Sequence, residues 1–75
     1  MGRLAGFSAT EVRRVAESLG WVRRSIRGDH WIYEKAGERR NLSIPGSREI
    51  REGTLRNLVD ILQLSVDEFL RLARK

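Results

Sequence analysis

The chain contains no cysteine and one histidine among its 75 residues. Without cysteine there is neither a disulfide framework nor a thiolate zinc site. One histidine with scattered carboxylates lacks the ligand count and spacing of a zinc or two-metal centre. No apolar run approaches the roughly 18 residues that a membrane span needs, and the N-terminus carries no signal-peptide pattern. The expectation is a cytoplasmic, soluble chain folded as one domain over residues 1–75, needing no cofactor, metal or membrane. A chain of this size buries only about 60% of its unfolded surface, so each packed side chain matters.

Lysine is also scarce, since 13 of the 15 basic residues are arginine. Residues 21–51 hold eight basic side chains against four acidic ones, so most of the net +5 lies in the middle of the chain. The planar guanidinium fork suits phosphate better than an ammonium does, and a localised basic region points to nucleic acid. The same charge also suits a well-solvated surface.

Ser8-Ala9-Thr10-Glu11 has the form of a capping box, with Phe7 placed to staple against Val12. Val12, Val15, Ala16 and Leu19 follow helical spacing and Arg13, Arg14 and Glu17 turn outward, which predicts a helix over 9–19 ended by Gly20. From Trp21 the period changes. Trp21–Ile26 is rich in strand formers, and His30–Lys35 alternates, with His30, Ile32 and Glu34 on one face and Trp31, Tyr33 and Lys35 on the other. Turn signals at Arg27-Gly28-Asp29 and Ala36-Gly37-Glu38, then Arg40–Ile44 ended by Pro45-Gly46, predict a three-stranded antiparallel meander. Gly53-Thr54 opens a second helix bearing Leu55, Leu58, Val59 and Leu62, and Ser65-Val66-Asp67-Glu68 caps a short third one. The expected class is α+β: αβββα with an appended helix, helices on one face of the sheet. Double-stranded-RNA-binding domains share this order and read A-form RNA by shape and backbone contacts. Topology alone does not assign a function.

His30 follows a glycine-containing turn, where backbone approaches a ligand closely, and Arg23, Arg24 and Arg27 lie on the same hairpin. Imidazole both takes and returns protons near neutral pH. A base beside guanidinium groups suits RNA transesterification: the 2′-hydroxyl loses its proton and attacks the adjacent phosphorus, while cations stabilise the phosphoryl oxygens. A lone histidine also serves as an ordinary strand residue. Asp29 is a candidate to orient the imidazole, but adjacent strand residues point apart, so it reaches the ring only from within the turn, and a plain turn residue is the expected role. Trp31 and Tyr33 are placed to stack on bases or, as expected in so small a core, to pack inward. Ser47, Arg48 and Arg51 lie in the loop before the second helix, in reach of a phosphate or simply solvated.

Several segments in order carry a resemblance: Gly20-Trp21-Val22, Arg27-Gly28-Asp29-His30-Trp31-Ile32-Tyr33, Ile44-Pro45, Glu52-Gly53-Thr54-Leu55-Arg56-Asn57-Leu58 and Leu64-Ser65-Val66-Asp67-Glu68-Phe69. From about residue 10 onward the chain resembles the HicA toxins, the YcfA-like family of toxin–antitoxin pairs. The resemblance implies a double-stranded-RNA-binding-domain-like fold, metal-independent endoribonuclease cleavage of mRNA, and neutralisation by a HicB-like antitoxin that covers the active site. It places the family's catalytic histidine at His30. Arg23, Arg24, Arg27 and Gly28, from the reading of the hairpin itself, are the expected RNA and phosphate contacts. The sequence does not fix an oligomeric state, a monomer being the expectation. Two positions depart from the family pattern. Asp29 stands where the family has serine before its histidine, and Ser47 stands where a second histidine often follows the proline. A serine does not protonate a leaving 5′-oxygen as an imidazolium does. The alternatives are a non-catalytic RNA-binding module of the same fold, or a DNA-binding or adaptor domain using its final helices. Glu52 and Asp60 on the second helix speak against the last.

Overall fold

The computed structural model describes residue 4, residues 6–46 and residues 49–73. Ser47 and Arg48, both of interest in the sequence, lie outside the described residues. The elements run α1 (Ala9–Ser18), β1 (Val22–Arg27), β2 (His30–Glu34), β3 (Leu42–Pro45), α2 (Glu52–Ile61) and α3 (Val66–Ala73). This is the αβββα order with an added C-terminal helix, and the strands form one antiparallel sheet in the order β1-β2-β3.

Local chemistry explains the helix boundaries. The Ser8 backbone N–H donates to Glu11 Oε1 at 2.9 Å while the Glu11 N–H donates to Ser8 Oγ at 3.2 Å, closing the capping box that starts α1. At the other end Gly20 takes φ +96, its N–H donates to Glu17, and the Trp21 N–H reaches back to Ala16. These two bonds form a Schellman motif. They draw Trp21 into the core, 3% exposed, so β1 begins one residue later than strand propensity suggested. The same motif closes α2, where Gln63 adopts φ +62 and Leu64 N–H donates to Val59. At α3, Ser65 and Glu68 form a second capping box. The Ser65 backbone N–H, chiefly, holds the Glu68 carboxyl below its ordinary value, so this cap weakens as pH falls through the carboxylate range.

The core lies between the helices and one face of the sheet. Tyr33, Leu42 and Ile44 are fully buried, against Val12, Val15, Leu55 and Phe69. Phe7 and Phe69 meet edge-to-face at 5.2 Å between centroids, joining the entry of α1 to α3. The register pairs Tyr33 with Leu42 and Trp31 with Ile44, which sets His30, Ile32 and Glu34 on the opposite face. No described helix is long and apolar enough to cross a membrane.

Two further elements differ from the sequence expectation. The β2–β3 connection is a seven-residue loop, because strand pairing ends at Tyr33↔Leu42. The loop is held to the end of α2 by Gln63 Nε2 donating to Glu38 at 2.8 Å and by Arg40 at 3.6 Å from Asp60. β3 also extends to Pro45, which pairs with His30; it stands at the end of an edge strand, where a missing N–H is tolerated.

Tyr33 gives the fold a pH signature. Its buried hydroxyl donates to Glu17 at 2.6 Å, and burial, reinforced by that bond and the carboxylate charge, pushes its pKa up to about 12. The folded protein therefore keeps a proton that the unfolded chain loses near pH 10, and stability is lost as pH rises from about 10 to 12. Tyr33 is the sole tyrosine, so the ultraviolet tyrosinate signal reports it alone. The expected midpoint lies well above 10, and Tyr33→Phe should remove that alkaline loss at a cost of about 0.5–1.5 kcal/mol near neutral pH. An ordinary midpoint in the folded protein would contradict the account.

Candidate active site

The β1–β2 hairpin places the histidine. Gly28 and Asp29 form a two-residue turn in which Gly28 takes φ +62, as the first central residue of a type II′ turn does. His30 is the first residue of β2, and its Cα partners are Arg27 on β1 and Pro45 on β3. Its side chain is 51% exposed, and Nδ1 lies 3.1 Å from Asp29 Oδ1. Consecutive strand residues point to opposite faces. Asp29 reaches the imidazole because it belongs to the turn.

His30 borders a cleft of about 180 Å³, shared with Asp29, Pro45, Glu49, Arg51 and Thr54. Arg51 is the N-cap of α2 and Thr54 lies in its first turn. Arg51 was singled out in the sequence; Thr54 was not, and only the packing of α2 against β3 brings it here.

The three hairpin arginines separate. Arg27 pairs across the sheet with His30 and shares a groove of about 530 Å³ with Arg24, Ser25, Ile32 and Asn41. Arg24 falls at a bulge between Arg23 and Ser25, and its Nη1 lies 3.3 Å from Glu34 Oε1 in an exposed ion pair. The bulge shifts Arg23 to the face opposite that groove, level with Tyr33, and its guanidinium sits 4.9 Å from the centre of the Trp31 ring. Arg24 and Arg27 thus line one groove, Arg27 as the cross-strand partner of His30 and Arg24 farther along beside Glu34, while Arg23 packs on an aromatic side chain.

Sequence reasoning placed Arg13 outward on α1. In the structure it reaches across to the end of β3. Its Nη1 donates to the carbonyls of Pro45 (3.2 Å) and Gly46 (2.7 Å), and its guanidinium lies 4.2 Å from the Trp31 ring centre. A long guanidinium satisfies strand-end carbonyls while covering an indole face, and no periodicity in α1 signals that. Gly46 is confined beneath it. A Cβ there would stand 2.7 Å from Trp31 Nε1 and 3.0 Å from the Asp29 carbonyl oxygen, to which the Gly46 N–H donates. Trp31 is half-buried against the core and Tyr33 is wholly buried, so Tyr33 offers no exposed face for stacking. Among the described residues, no three His, Cys, Asp or Glu side chains group as a metal site would require.

A family model described as HicA toxin of bacterial toxin-antitoxin matches residues 9–64 of the 75. The matched span contains the hairpin, His30, Arg13, Gly46 and the start of α2. No curated protein matches the chain.

Gly46→Ala tests the junction beneath Arg13. The indole and the Asp29 carbonyl must both give way, with an expected loss of about 1–3 kcal/mol, read by urea unfolding. An unchanged midpoint would mean that Trp31 swings aside without cost.

Proposed function

Because this chain belongs to the HicA toxin family of toxin–antitoxin systems, we propose that it is an endoribonuclease that cleaves mRNA without a metal, using His30 as general base. Membership implies an antitoxin partner; we take that partner to be HicB-like and to cover the cleft beside His30. The observation that carries the reading is an exposed imidazole, paired on one side with a carboxylate and facing an arginine across the hairpin.

In this mechanism Nε2 of His30 removes the proton of a ribose 2′-hydroxyl. The freed oxygen attacks the adjacent phosphorus, the bond to the 5′-oxygen breaks, and a 2′,3′-cyclic phosphate forms. We assign Arg27, the cross-strand partner of His30, to the charge that builds on the phosphoryl oxygens, where a preorganised cation stabilises the transition state more than the ground state. Arg24, farther along the same groove, contacts a neighbouring phosphate, and Gly28 lets the strand approach the backbone closely. Arg23 acts on RNA only through the edge it shares with Trp31. The leaving 5′-oxygen takes its proton from water, since the chain has no second imidazole. That same shortage favours the second reading, a non-catalytic RNA-binding module of the same fold.

Wild type and His30→Ala, expressed and purified, separate these readings. The expectation is growth arrest and RNA cleavage by the wild type with EDTA present. For the variant we expect a loss of about 100-fold or more, the size of a general-base contribution. Equal cleavage by both proteins removes His30 from the chemistry. Binding by both without cleavage selects the module, and loss of activity in EDTA assigns a metal.

A further inference from the structure

Asp29 occupies a position whose backbone is held from two sides. Gly28 fixes the turn with a positive φ, and the Gly46 N–H donates to the Asp29 carbonyl from the end of the third strand. Gly46 is itself held, because its own carbonyl accepts from Arg13 at 2.7 Å. A continuous path therefore runs from α1 through Arg13, Gly46 and Asp29 to Nδ1 of His30, ending in the 3.1 Å carboxylate–imidazole contact.

We infer that Asp29 is a positioning residue for His30, holding the ring with Nδ1 towards its carboxylate so that Nε2 is the nitrogen presented to substrate. The inference rests on the reading of His30 as a base. In a neutral imidazole one nitrogen carries the proton and the other accepts. The negative charge of a carboxylate 3.1 Å from Nδ1 favours a proton on that nitrogen, and so the Nδ1–H tautomer with the lone pair on Nε2. The Asp29 and His30 side chains are both about half exposed, and exposed ion pairs contribute little to stability. The pair therefore acts on orientation and tautomer, and its removal should leave folding largely intact. Arg13 and Gly46 serve the same end at one remove, since they hold the backbone from which the carboxylate reaches.

The single histidine makes this directly measurable. Nitrogen-15 spectra of the imidazole, taken at a pH where it is neutral, show which nitrogen carries the proton. In the wild type the expected form is Nδ1–H. In Asp29→Asn and Asp29→Ala it should shift towards Nε2–H, the form that free histidine prefers, with far-ultraviolet circular dichroism unchanged. In RNA cleavage, Asp29→Asn should lower kcat about 10- to 100-fold with KM nearly constant, by analogy with the loss on removing a carboxylate that orients a metal-bound histidine. A merely structural role would not change the tautomer.

The same tautomer in wild type and both variants overturns the inference, as does an unchanged kcat in Asp29→Asn. Should the wild type cleave no RNA, the ribonuclease reading falls while the tautomer comparison still decides whether Asp29 holds the ring.

Discussion

The meeting of α1 with the end of β3 is the constraint on which the site depends. Arg13 supplies two hydrogen bonds to strand-end carbonyls and covers an indole face. Trp31 in turn leaves no room for a side chain at residue 46. These contacts set the position of the Gly46 peptide, and through its N–H the carbonyl of Asp29. A surface guanidinium alone contributes modestly. Here the charge also lies on an aromatic ring and the carbonyls at the end of an edge strand gain donors, so loss of Arg13 would expose several groups together.

The positive charge of the hairpin is divided rather than pooled. One extra residue in β1 is enough, because a bulge reverses the facing of what precedes it. Arg27 and Arg24 share a groove on the open sheet face, whereas Arg23 turns towards the helix side and rests on Trp31. Arg24 is partly neutralised by Glu34. Arg27 stands across the hairpin from His30, and Arg51 lines the cleft that His30 borders from the start of α2.

Much of the fold was legible because its signals are local. Ser8 with Glu11 and Ser65 with Glu68 each satisfy backbone donors three residues away, and Gly20 is needed where a helix ends in a left-handed residue. The alternation of β2 separated the buried Tyr33 from the exposed His30. Less legible were features set by distant partners. The seven-residue loop after β2 looks like a tight turn until Gln63 and Asp60 draw it to α2. The left-handed Gln63 carries no glycine signal at all.

The candidate site divides along the same line. From sequence alone came the single imidazole, the turn before it, the arginines around it and the α+β order that leaves one sheet face open, all properties of residue type and short spacing. Tertiary structure decided which arginines stand near that imidazole, because a bulge in β1 controls their facing. It also brought Thr54 to the cleft and sent Arg13 across to Gly46, a separation of 33 residues. For Asp29 the turn residues gave the condition, a turn that suspends the strand rule pointing neighbours apart, and the folded hairpin supplied the 3.1 Å contact with His30.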